Sequence, residues 1–160
     1  MKRFFYVLQI LFLVLFSSLL LCSCKSKNCD FGIPETASFT VEEETEGIVF
    51  KAILNGDAAR LTFLHPAALN GLEASTAGSG TYNLCYNGRS CELGTFSVKN
   101  AADFIAALKL LKCGGTCKGS HFTASADSLY ADAEFENGSL KKIVYFDGMQ
   151  KKIYKIDMEE

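Results

Sequence analysis

The chain has 160 residues, a formal charge of −2 and 49% hydrophobic residues. That is enough for one domain with a core, and mild acidity without basic clusters excludes nucleic acid as a partner. Two prolines, no tryptophan, 13 glycines and 13 phenylalanines read as a sheet protein rather than a helical bundle.

Met1-Lys2-Arg3 opens the chain, and residues 4–21 are almost wholly apolar, interrupted only by Gln9, Ser17 and Ser18. A basic segment followed by an apolar one is the layout of a secretory signal. The run also approaches the roughly 20 residues that span a bilayer as a helix. Leu21-Cys22-Ser23-Cys24 decides between the two. It resembles the lipobox of bacterial lipoproteins, with a branched apolar residue three before the cysteine and a small residue directly before it. The resemblance implies cleavage before Cys24 and fatty acylation of Cys24. Cys22 fits worse, because Leu21 before it is not small. The alternative is an uncleaved N-terminal anchor, and both readings place the rest outside the cytoplasmic membrane. The chain then divides into a signal peptide (1–23), a lipid-anchored tether (24–35) and a single domain (36–160). Cleavage leaves 137 residues with 14 basic and 18 acidic side chains, a charge of −4. One acyl chain holds a protein marginally and two hold it stably, so a diacylated Cys24 is a sufficient anchor.

Residues 25–34 lack apolar periodicity and end in Pro34. Cys29 lies among them, as a spare thiol or as half of an intermolecular bridge. Strands follow. Ala37, Phe39 and Val41 alternate with Ser38, Thr40 and Glu42. Glu42-Glu43-Glu44 with Glu46 and Gly47 reads as a solvated turn. Residues 48–54 form a second strand, apolar on both faces except at Lys51, and Asn55-Gly56-Asp57 is a hairpin signal. Residues 60–64 form a third strand, closed by His65-Pro66. Residues 67–72 form a bend followed by small and polar residues. A fourth strand covers 81–86, Asn87-Gly88 turns it, and a fifth runs over 91–98.

One helix is predicted near residues 100–112. Asn100 is the candidate N-cap and Asp103 faces the helix dipole. Phe104, Ile105, Leu108 and Leu111 make one apolar stripe, and Cys113-Gly114-Gly115 ends it. The tail returns to strands. Phe122, Ala124 and Ala126 alternate, as do Leu129, Ala131, Ala133 and Phe135. Asn137-Gly138 and Asp147-Gly148 are two further hairpin signals, and strands cover 140–146 and 151–158. The order gives an α+β domain of about eight or nine antiparallel strands with one main amphipathic helix.

If Cys24 carries lipid, Cys29, Cys85, Cys91, Cys113 and Cys117 remain, an odd number. An exported chain keeps disulfides. Three readings stay open. Two local bridges, Cys85–Cys91 and Cys113–Cys117, are one; the first needs a three-residue loop over 87–89. A four-cysteine zinc site is the second, and crossed pairs or free thiols are the third. His65 and His121 have no evident shared partner and read as surface or turn histidines. Tyr82, Tyr86, Tyr130 and Tyr145 read as packing residues with polar tips. No nucleophile elbow, phosphate loop or helix-borne metal motif occurs, so neither an enzyme nor a cofactor is expected.

Several short motifs together resemble small lipoproteins of Gram-positive anaerobes with a LolA/LolB-like fold. They are Phe39-Thr40-Val41, Phe50-Lys51-Ala52-Ile53-Leu54, Leu61-Thr62-Phe63-Leu64-His65-Pro66, Leu69-Asn70-Gly71-Leu72 and Tyr82-Asn83-Leu84-Cys85-Tyr86-Asn87-Gly88. The pattern covers about residues 37–158. The resemblance implies a curved antiparallel sheet forming an incomplete β-barrel with helical cover, whose concave apolar face holds a lipid or lipidated ligand. The chain departs from the family in its single helix and its cysteines, so the architecture carries over and no binding residue does. The expected function is therefore a membrane-anchored extracytoplasmic lipoprotein that binds a lipid or hydrophobic ligand. The alternative is a structural or protein-interaction envelope lipoprotein without a ligand cavity. Expected partners are the membrane through the lipid on Cys24, a lipid or lipoprotein ligand, and, in the alternative, an envelope protein.

Overall fold

The computed structural model describes residues 31–77, 81–90 and 98–159. Eleven strands in one antiparallel sheet and one α-helix make up the described residues. The strands are β1 (Thr36–Glu43), β2 (Ile48–Asn55), β3 (Ala58–His65), β4 (Leu72–Thr76), β5 (Asn83–Tyr86) and β6 (Arg89–Ser90) on the first pass. After the helix α1 (Lys99–Lys112) come β7 (Thr116–Lys118), β8 (His121–Ala126), β9 (Leu129–Glu136), β10 (Ser139–Phe146) and β11 (Lys151–Glu159). A short 3-10 turn, Ala67–Leu69, follows the end of β3.

The spatial order is β6-β5-β4-β3-β2-β1-β11-β10-β9-β8-β7. The chain thus starts in the middle of the sheet and steps outward to one edge. It reappears, after α1, at the opposite edge and steps back until β11 pairs with β1. The sheet is open, with β6 and β7 as its edges. Both are three residues or shorter, which limits the unpaired backbone they present. The central seam is reinforced on its outer face, where Glu159 accepts hydrogen bonds from Ser38 Oγ (3.0 Å) and Thr40 Oγ1 (3.1 Å) and pairs with Lys51.

The hairpins follow the turn chemistry of the sequence. Asn87-Gly88 and Asn137-Gly138 both hold positive φ at each residue, as a two-residue I′ turn requires. At Asp147 the loop is longer: its Oδ1 accepts the backbone N–H groups of Met149 (2.9 Å) and Gln150 (2.7 Å).

Side-chain alternation sets the two faces. Phe39 and Val41, Phe50 and Ala52, Leu61 and Phe63, Leu72 and Ala74, Ala131 and Ala133, Ile143 and Tyr145, and Tyr154 and Ile156 all point inward and are buried. Phe104, Ile105, Leu108 and Leu111 of α1 face them, as the stripe predicts. The second apolar face expected for residues 48–54 is the outer one, where Ile53 stands exposed.

Three differences from the sequence expectations concern the elements. The strand count is eleven because β4, β6 and β7 form from stretches read as bend or loop. The expected strand over 91–98 lies outside the described residues except at Val98, which precedes the helix. The helix begins at Lys99, with Val98 at the N-cap position and no side-chain cap, so Asn100 is an interior residue with another use. Residues 1–30, with the signal peptide, Cys24 and Cys29, also lie outside the described residues.

Candidate functional site

The densest polar cluster among the described side chains sits where the first turn of α1 meets β10 and β11. Lys152 is the unusual member. It occupies an inward position of β11, in step with Tyr154 and Ile156, and is 5% exposed. A buried ammonium must be paired and hydrogen-bonded. Its Nζ donates to Asn100 Oδ1 and to Asp103 Oδ2. Asp103 Oδ2 also accepts from Lys99 Nζ (2.8 Å), one helical turn earlier, and Lys99 Nζ reaches Asp147 Oδ2 (2.9 Å). Charges therefore alternate: Lys152, Asp103, Lys99, Asp147. Beside them Tyr154 Oη donates to the Asn100 carbonyl (2.8 Å).

The electrostatics follow from this packing. Hydrogen bonds to Asp103 and Asp147 raise the Lys99 ammonium well above its ordinary range. Lys99, then the backbone N–H groups of Gln150 and Met149, hold the Asp147 carboxyl far below the usual carboxylate range. Burial, followed by the Asp103 and Glu43 carboxylates, pushes the Tyr154 phenol far up. Burial and then Asp103 likewise raise Tyr145 and Tyr82. A protonated lysine is neither nucleophile nor base, and an un-ionised phenol is only a hydrogen-bond donor or acceptor. This cluster clasps the helix to the sheet.

Directly beneath the clasp, the ring of Phe104 packs on the inner face of the sheet. Its centroid lies 6.2 Å from Phe39, 5.7 Å from Phe50 and 5.4 Å from Tyr154, all edge-on, with Phe50 in turn 6.0 Å from Phe63. Such tilted contacts are the favoured aromatic geometry. The apolar lining that a carrier would offer to an acyl chain is here in contact with the protein's own helix.

One small hollow lies between α1 and the β2–β3 hairpin, bordered by Leu54, Ala59, Ile105 and Leu108, and larger open ones lie elsewhere. One of about 310 Å³ is bordered by Ile53, Asn55, Arg60 and Ser75. Another of about 200 Å³ is bordered by Phe31, Gly32, Cys117, His121, Phe122 and Phe135.

The cysteines depart from the two local bridges. Cys85 is a half-buried free thiol and Cys113 an exposed free thiol, whereas Cys117 is disulfide-bonded. The Asn87-Gly88 turn is two residues long, so Cys85 faces Ser90 across the hairpin. Cys91 follows one residue out of that register and lies outside the described residues. Cys113 is the C-cap of α1, while Cys117 stands in β7 opposite Phe122 and packs on the core. Two cysteines on different elements, one solvated and one inward, do not meet. The disulfide at Cys117 also removes it from any four-cysteine zinc site, and no cluster of His, Cys, Asp or Glu suited to a metal occurs among the described residues.

Sequence reading misplaced one polar residue, Glu43, and missed another, Lys152. Glu43, expected in a solvated turn, is fully buried; its carboxylate accepts the backbone N–H groups of Thr45 (2.9 Å) and Glu46 (2.8 Å) and so closes the β1–β2 turn. His121 has a partner, with Nδ1 3.0 Å from Asp132 Oδ1 on the exposed outer face. His65 is exposed at the end of β3. Of the four tyrosines, Tyr145 is buried and Tyr82 partly so, but Tyr86 and Tyr130 are exposed.

No family model matches the chain, and neither a curated protein nor a solved structure is significantly similar to it. Among the described residues no helix is long and apolar enough to cross a membrane.

Proposed function

We propose that this protein is a lipid-anchored extracytoplasmic lipoprotein whose sheet domain acts through its outer surface on an envelope partner, without carrying a lipid. The anchor reading rests on Leu21-Cys22-Ser23-Cys24. The observation that favours a filled domain over a carrier is the packing of Phe104 against Phe39, Phe50 and Tyr154 on the concave face. The open antiparallel sheet with one helix is compatible with the LolA-like half barrel, and that architecture is kept as part of the proposal.

Native mass spectrometry of the mature protein extracted from membranes tests the domain. The expected spectrum shows the acylated chain alone; a second, non-covalent lipid on most molecules would restore the carrier reading. Membrane fractionation tests the anchor. Cys24→Ala is expected to leave the protein unprocessed and without acyl mass, whereas normal processing of that variant would overturn it.

A further inference from the structure

We propose that Cys29 is the cysteine bonded to Cys117, so that a disulfide staples the tether to the edge strand β7. Cys117 is disulfide-bonded, while Cys85 and Cys113 are free. The sequence leaves Cys22, Cys24, Cys29 and Cys91 as partners. Cys22 departs with the signal peptide, and the sulfur of Cys24 carries the lipid; this step of the elimination rests on the anchor proposed above.

Between the last two, the chain's entry into the domain decides. Phe31 packs 5.2 Å from Phe122 and 5.8 Å from Phe135, centroid to centroid. Phe31 and Gly32 border the same hollow as Cys117. Cys29 is two residues before Phe31, and two residues extend at most about 7 Å. A disulfide joins Cα atoms about 5.5–6 Å apart. Cys91, by contrast, follows β6, the edge of the sheet opposite β7.

The bond forms by oxidation in the extracytoplasmic space. The two thiols lose two protons and two electrons to the disulfide of a thiol oxidoreductase, which leaves as a dithiol while the Cys29–Cys117 sulfur–sulfur bond closes. The free tether from lipid to domain then shortens to the five residues after Cys24, a reach of about 17 Å. The end of the sheet where β1 begins is held at the bilayer, and the opposite end, with the exposed side chains of Leu64, Tyr86, Tyr130, Phe146 and Met149, is presented away from it.

The test counts thiols by maleimide-polyethylene glycol shift of the denatured, non-reduced protein extracted from membranes. The expected wild-type count is three, from Cys85, Cys91 and Cys113. Cys29→Ser is expected to raise it to four by freeing Cys117, and Cys91→Ser to lower it to two. A fall on Cys29→Ser with a rise on Cys91→Ser overturns the assignment in favour of Cys91; a fall on both shows no bridge to either. An unacylated Cys24 adds one thiol to every sample and leaves the differences unchanged, so failure of the anchor reading is seen separately. Non-reducing peptide mapping is expected to recover the Cys29 and Cys117 peptides joined.

Discussion

Lys152 and Glu43 show how a charged side chain enters a sheet core when its hydrogen bonds come with it. Lys152 faces Asn100 and Asp103, and Glu43 faces two backbone N–H groups. The two halves of the lysine pair are not equivalent. Asp103→Ala removes the carboxylate with which Lys152 pairs among the described residues, and a buried charge left alone costs about 3–5 kcal/mol. Lys152→Met nearly keeps the volume and leaves Asp103 paired with Lys99, so the expected loss is below about 1.5 kcal/mol. Urea denaturation of both variants measures the difference, and equal losses would sink the idea that Lys152 depends on Asp103. The pH dependence has a definite sign. Asp147 has its folded pKa depressed, so its contribution is full above the usual carboxylate value of about 4 and fades as pH falls below that. Asp147→Asn is therefore expected to lower stability at pH 7 and to flatten the acid limb of the stability curve between about pH 4 and pH 2. Lys99 has its folded pKa raised, so its contribution persists through neutral pH and is lost only in strong alkali. None of this was announced locally in the sequence. The available signal was register: Lys152 stands in step with Tyr154 and Ile156 on the buried face.

At the level of elements, the apolar stripe of α1 and the hairpin dipeptides were legible because each is a local pattern with a steric cause. The strands that went unread, β4, β6 and β7, are five residues or fewer. In β4 the inward residues are Leu72, Ala74 and Thr76, an alternation too small and too polar to stand out. β7 is placed by a contact that sequence does not display. A Cβ on Gly115 would lie 2.2 Å from the Thr123 carbonyl oxygen and 2.7 Å from the Phe122 ring. Glycine there lets the chain leaving α1 come down onto β8. Gly115→Ala is expected to cost about 1–3 kcal/mol, as overpacking of a filled site does. Loss of protection from hydrogen exchange should be largest in β7 and at the end of α1. A variant as stable as wild type, with unchanged exchange, would show that the helix exit is looser than its contacts indicate. The cysteine pairings failed for a related reason. A two-residue turn rather than a three-residue one shifts the register by one and puts Ser90 opposite Cys85.

For the whole molecule, the open sheet and the position of the helix set what the domain can take in. Strands stepping out from β1 to one edge and back from the other leave one buried face, and among the described residues α1 packs on it, chiefly against β8, β9 and β10. Phe104 is the side chain that reaches from α1 to the central strands, touching β1, β2 and β11 at once. Truncating it removes the ring from the middle of the core. Phe104→Ala is expected to destabilise by about 3–5 kcal/mol through lost transfer energy and the cavity left behind. An apolar cavity of that kind stays dry and accepts small apolar guests. Wild-type protein is therefore expected to bind little benzene under native conditions, and Phe104→Ala to bind more, in a saturable manner. Uptake by the wild type equal to or greater than that of the variant would mean that the concave face already receives ligands beside the helix. The carrier reading would then displace the filled-domain one. The same titration on Phe104→Leu separates cavity from unfolding, since leucine refills much of the volume and should restore both stability and exclusion of the probe.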